Sequence, residues 1–116
     1  MKNASKNFYP VLTRMRIEVA PSTRPGKKLV ARFFDAEDKV IKTTHFGDVR
    51  YKDFTSYSMD DPKVAKERRL AYIKRHRTAE NWRDPMAAGT LSRYLLWEKP
   101  TLTTALKKYR VMFDLR

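Results

Sequence analysis

Asp60-Asp61-Pro62-Lys63-Val64-Ala65-Lys66-Glu67-Arg68-Arg69-Leu70-Ala71-Tyr72-Ile73-Lys74-Arg75-His76-Arg77 is the stretch on which the fold turns. Asp60 and Asp61 are side chains that cap a helix, and Pro62 suits a first helical position, where its missing N–H is no loss. A helix is therefore expected over 62–77. Its apolar residues Val64, Leu70, Ala71 and Ile73 do not fall on one tidy stripe. Either Tyr72 completes the buried face or the helix breaks near Arg69.

Outward from this helix the chain has two different characters. Upstream, Thr13 to Val19 alternates, with Met15, Ile17 and Val19 on one side and Arg14, Arg16 and Glu18 on the other. That period of two is a half-buried strand. Pro21, Pro25 and Gly26 then make a loop. Leu29–Phe34 and Val40–Phe46 are further strands, joined by the polar turn Asp35-Ala36-Glu37-Asp38 as an antiparallel hairpin. Tyr51, Phe54 and Tyr57 are read as lying in a loop. Downstream, Glu80 to Pro85 is a connector, and Met86–Trp97 spaces Ala88, Leu91, Tyr94 and Leu95 as a helix does. Thr101 caps a last helix in which Leu102, Ala105, Leu106 and Tyr109 follow the i, i+3, i+4, i+7 rule. Strands first and helices afterwards imply an α+β domain, a small antiparallel meander of about three strands with three helices packed on one face. Residues 1–12 read as an N-terminal arm, and 13–116 as a single compact domain.

The 116 residues include 26 Lys and Arg against 13 Asp and Glu, a formal charge of +13. Residues 1–58 hold 12 basic and 6 acidic side chains and residues 59–116 hold 14 and 7, so no basic tail carries the excess. Charge of this size favours polyanionic partners: nucleic acid, or an anionic membrane surface. The plainer alternative is a basic protein whose charge is incidental. Cysteine is absent, which removes disulfides, thiol nucleophiles and cysteine-ligated zinc. No apolar core of 7–15 residues follows the first basic residue, so no signal peptide is expected, nor any membrane insertion.

The candidate nucleic-acid contacts are Lys63, Lys66, Arg68, Arg69, Lys74, Arg75, His76 and Arg77, with Arg83, Arg93, Lys107 and Lys108 as outer contacts. Such binding is expected to be sequence-independent and carried by phosphates. Tyr51, Phe54 and Tyr57, beside Arg50 and Lys52, interleave rings with cations as single-strand binders do. The favoured reading, however, is a satellite hydrophobic cluster pinning the loop to the helices. Trp82 and Trp97 read as packing anchors. Lys66–Arg69 and Lys74–Arg77 also resemble weak nuclear-import patches.

Catalytic patterns are sparse. His76 and Glu80 stand four apart, which on a helix presents both to one ligand, but phosphate contact or helix capping explains this histidine as well. His45 reads as a hydrogen-bonded structural histidine. Asp48, Asp53, Glu80 and Asp84 carry the chemistry of a magnesium nuclease without a recognisable spacing. The motifs GxGxxG, GxxxxGK[ST] and GxSxG are all missing. No catalytic residue, metal or cofactor is assigned.

One ordered set of segments goes further. It consists of His45-Phe46-Gly47, Tyr51-Lys52-Asp53-Phe54-Thr55, Tyr72-Ile73-Lys74-Arg75-His76-Arg77, Glu80-Asn81-Trp82-Arg83-Asp84-Pro85, Ala88-Gly89, Leu91-Ser92-Arg93-Tyr94-Leu95-Leu96-Trp97 and Lys99-Pro100-Thr101-Leu102. It resembles a small uncharacterised protein family of large DNA viruses of eukaryotes, over roughly residues 28–110. The chain departs from that pattern at Met59-Asp60, where a basic pair is expected, and at Tyr94, where Trp is expected. The resemblance implies a viral protein, packaged in the virion or acting in the nucleus or cytoplasmic replication compartment of the infected cell, and not secreted. Non-enzymatic nucleic-acid binding is the leading expectation. The alternatives are a structural virion component contacting other virion proteins, a homodimer among them, and a metal-dependent nuclease.

Overall fold

The computed structural model describes residues 14–116; the expected N-terminal arm lies outside them. The chain forms β1 (Arg16–Pro21), β2 (Lys27–Phe34), β3 (Val40–Asp48), α1 (Phe54–Asp60), α2 (Pro62–His76), α3 (Ala88–Leu91), a wide π turn (Ser92–Leu96) that continues it, and α4 (Leu102–Met112). The strands make one antiparallel sheet in the order β1-β2-β3. Ile17 pairs with Phe33, Val19 with Ala31, Ala31 with Thr44 and Leu29 with Phe46. That register gathers these side chains on one face, because a strand alternates its faces residue by residue.

The core is built on that face. Ile17, Ala31, Phe33 and Phe46 pack with Leu91, Leu95 and Leu96 of α3 and its π turn, and with Ala105 and Tyr109 of α4. The expected helix over 86–97 is thus an α turn followed by a π turn. The widening lets Leu91, Leu95 and Leu96 all reach the interior. Thr101 caps α4 as expected, accepting from the Thr104 amide at 3.3 Å. Tyr109 donates its hydroxyl to the Pro85 carbonyl at 2.5 Å, so the buried ring leaves no polar atom unpaired. The chain end then returns to the sheet. Arg116 donates its amide to Met15 O at 2.8 Å and accepts from the Ile17 amide at 3.1 Å, covering one end of the β1 edge.

There are four helices rather than three. The added one is α1, in the segment read as a loop. Asp53 makes it: its carboxylate accepts from the Ser56 amide at 3.2 Å and from Thr55 Oγ1 at 2.5 Å, while Lys28 Nζ reaches its other oxygen at 2.6 Å. This buried N-cap fastens α1 to β2. Asp61 then caps α2 by accepting from the Lys63 and Val64 amides. The helix runs unbroken through Arg69, burying only Ala65 and Tyr72, which lie seven apart on one face. Of the two expectations, Tyr72 completing the face is the one realised. The α1–α2 hairpin is joined to the rest of the chain by that Asp53–Lys28 bond and by Tyr72, whose ring lies parallel to Trp97 at 4.4 Å.

Candidate functional site

The α2 sequence places its cations in two rows. At 3.6 residues per turn, Lys63, Lys66, Lys74 and Arg77 share one face with Leu70, and all five are exposed. Leu70 is 64% exposed, so this row faces water rather than a core. Arg68 and Arg75, seven apart, share another face with Tyr72 and look into a cleft. Among the described residues none of these six cations has a carboxylate within ion-pair distance.

The other sequence-selected cations have structural partners or lie elsewhere. Glu98, in the connector before α4, accepts from Arg69 at 2.8 Å, from Arg93 at 2.7 Å and from Lys108. Burial pushes the Glu98 carboxyl up, but the bonds from Lys108, Arg93 and Arg69 outweigh it and hold the group down at about 2. Arg69 also donates to the Trp97 carbonyl at 2.8 Å. Arg93 is expected at the surface yet is only 11% exposed, lying 4.7 Å from the Tyr94 ring centre and 5.3 Å from that of Trp82. It is withdrawn because Glu98 and the two rings enclose it. Arg83 is exposed in the 80–85 turn, and Lys107 is exposed on α4. The twelve selected residues therefore do not form one surface. Six remain as a group on α2.

The cleft that Arg68 and Arg75 enter has a volume of about 570 Å³. Its floor is Phe46, Gly47, Gly89 and Leu96. Gly47 has φ +83°, and a Cβ there would stand 2.9 Å from Leu96 Cδ1, so only glycine fits this floor comfortably. The wall on the helical side is a column of rings: Trp97 on Tyr72, and Tyr72 on His76 at 4.2 Å. Burial pushes the Tyr72 hydroxyl up to about 12. Tyr57 stands 6.4 Å from Trp97, with Arg68 and Lys52 each within 6 Å of its ring. The opposite rim is Lys27, Asp48, Tyr51 and Lys52.

Each carboxylate lining the cleft is already engaged. Asp48 accepts from Arg50 Nη2 at 2.8 Å, and that bond holds it down at about 2. Asp53 serves Lys28 and the α1 cap. Glu80 accepts from His76 Nδ1 and from Trp82 Nε1 at 3.1 Å. His76 and Glu80 are thus a hydrogen-bonded pair, as their spacing allowed. Among the described residues no three His, Asp or Glu side chains converge as metal ligands. Asp84 accepts from the Met86 amide as a turn residue. His45 shares a 2.7 Å hydrogen bond with Ser22 Oγ, the structural role expected of it; burial, then the charges of Arg24, Arg32 and Lys27, push its pKa down.

The aromatic triplet divides between its two readings. Phe54 is buried and pins α1, Tyr57 packs near Trp97, and Tyr51 is 65% exposed at the cleft rim. Trp82 and Trp97 are packing anchors, and Trp97 also faces the cleft. Lys27 is the site residue that sequence reasoning missed. Its signal, Gly26-Lys27-Lys28, is short, and only the pairing of Lys27 with Asp48 brings it across from α2. No described helix is long and apolar enough to cross a membrane. Comparison of the chain with protein-family models, with curated proteins and with solved structures finds no match.

Proposed function

We propose that this protein binds nucleic acid through the phosphate backbone, without catalysis and largely without sequence preference. The observation that supports it is the outer row of α2: Lys63, Lys66, Lys74 and Arg77 are exposed, share a face and have no carboxylate partner among the described residues. Glu67 is the only acid within the helix. Like charges on neighbouring turns repel one another by a few tenths of a kcal/mol per pair. A phosphate chain relieves that repulsion and releases its counterions. In the viral setting implied by the resemblance, the ligand is viral or host nucleic acid.

The test is fluorescence anisotropy on labelled duplex DNA across a salt series. With four phosphates neutralised, log K against log[salt] has a slope of about −4. Reversing Lys63, Lys66, Lys74 and Arg77 to Glu abolishes retention, whereas reversing Lys39 and Lys42, at the end of β3 away from the Lys27–Asp48 pair, changes it little. Absence of any salt-sensitive retention of DNA or RNA refutes the proposal.

A second reading, a structural component acting through protein contacts, draws on the outer edge of β3, where Val40 and Ile41 are 53% and 47% exposed. An apolar edge of this kind pairs with a strand of another chain, including a second copy. Light scattering that shows a dimer broken by Ile41→Lys supports it.

A further inference from the structure

We propose that the cleft beside α2 accepts an unpaired nucleoside phosphate, so that the protein prefers single strands and strand ends to duplex. This rests on the nucleic-acid reading above and names the part of the ligand that the outer row of α2 does not select. Four observations carry it. A volume of about 570 Å³ falls in the range of small-ligand sites, roughly 300–1,000 Å³, the scale of one nucleoside phosphate. Three cations, Lys27, Arg68 and Arg75, line the cleft from opposite sides with no carboxylate among the described residues in ion-pair reach, whereas Asp48, Asp53 and Glu80 are each already bonded. An anion entering between them completes the local charge.

The rings supply the rest. Tyr72 is covered on both faces by Trp97 and His76, so it forms a wall and not a stacking platform. Tyr51 is different: it is 65% exposed at the rim beside Lys52, with the Arg50 guanidinium 5.4 Å from its ring centre. A base turned out of its stack lies on Tyr51 while its phosphate sits between Arg68 and Arg75. Gly47 and Gly89 line the cleft without side chains of their own, so that part of the floor is left to the sugar. Bases of every kind stack on such a ring, so the preference is for unpaired structure and not for sequence.

The experiment uses the full chain and three probes at equal salt: a labelled oligo-dT single strand, a labelled duplex of the same length, and unlabelled ATP as competitor. The single strand is expected to bind at least about 10-fold tighter than the duplex. Tyr51→Ala lowers the single-strand to duplex ratio by about 5-fold or more, the loss of one stacked base. Arg68→Ala with Arg75→Ala lowers the same ratio, and both sites are exposed enough for the variants to fold. If the ratio is near one and unmoved by these variants while salt-sensitive duplex binding persists, the cleft proposal is overturned and the backbone reading stands. If ATP binds the cleft and the strand preference is absent, the site takes free nucleotides and the preference for strands is overturned. If no nucleic acid and no ATP binds, both readings fail together.

Discussion

Replacing Glu98 by Gln tests how the helices are held in register. Glu98 is 10% exposed and joins three elements: Arg69 of α2 at 2.8 Å, Arg93 of the π turn at 2.7 Å, and Lys108 of α4. Gln keeps the size and one acceptor but removes the charge. The carboxyl lies at about 2 in the folded chain against an ordinary 4.5, because the three cationic donors outweigh the burial that alone would raise it. At about 1.36 kcal/mol per pKa unit the difference amounts to about 3 kcal/mol. Lys108 is 44% exposed, and solvent screening of that arm reduces the figure to about 2 kcal/mol. A group whose folded pKa is depressed contributes its full stability above its unfolded pKa and loses it as pH falls towards the folded one. Urea titrations followed by tryptophan fluorescence are therefore expected to show Glu98→Gln about 2 kcal/mol less stable at pH 7. The gap roughly halves by pH 3 and nearly closes by pH 2. A gap under about 0.5 kcal/mol at pH 7, or one that does not narrow on acidification, refutes the reasoning.

Two further outcomes follow from particular side chains. Gly47→Ala places a Cβ 2.9 Å from Leu96 Cδ1 at φ +83°, and is expected to lower stability by about 2 kcal/mol in the same urea assay. At alkaline pH the tyrosines act in the opposite sense to Glu98. Burial raises Tyr72 to about 12 and pushes Tyr109 up further, so their contribution is whole below pH 10 and is lost as pH rises beyond it. Ultraviolet titration is expected to show two of the six tyrosines ionising only together with unfolding, and Tyr72→Phe to flatten the alkaline decline.

The strands were legible because alternation survives in a sheet with one covered face: Ile17 and Val19 point inward between Arg16, Glu18 and Ala20. The last helix was legible for the corresponding reason at a period of 3.6. Helix α1 was not. Its seven residues bury only Phe54, too little for a periodic signal, and its stability comes from Asp53 bridging to Lys28, 25 residues away. The π turn was hidden because Leu95 and Leu96 are adjacent, a spacing that a regular helix cannot bury on one face as well. The basic run over 63–77 was visible as a run, but its division was not. Which cation is structural depends on Glu98, which lies 29 residues from Arg69 and 10 from Lys108.

That division has a physical logic. With half as many acids as bases, the chain cannot neutralise every cation, and the fold places the half-buried Glu98 carboxylate where three helical segments meet. The outer row of α2 and the Arg68–Arg75 pair are what remain. Helix α2 buries only two residues and is anchored by the Tyr72–Trp97 stack and the Arg69–Glu98 bond, both on the side away from its outer row. Its rigidity therefore does not draw on the cations it displays. On the proposed reading, a polyanion at α2 meets a backbone that is already fixed, so the ordering cost of binding is confined to the Lys and Arg side chains. The same anchors put Tyr72, Trp97 and the cleft on the other side of α2 from those cations, so that on the two proposals above one helix carries both the phosphate contacts and the wall of the cleft.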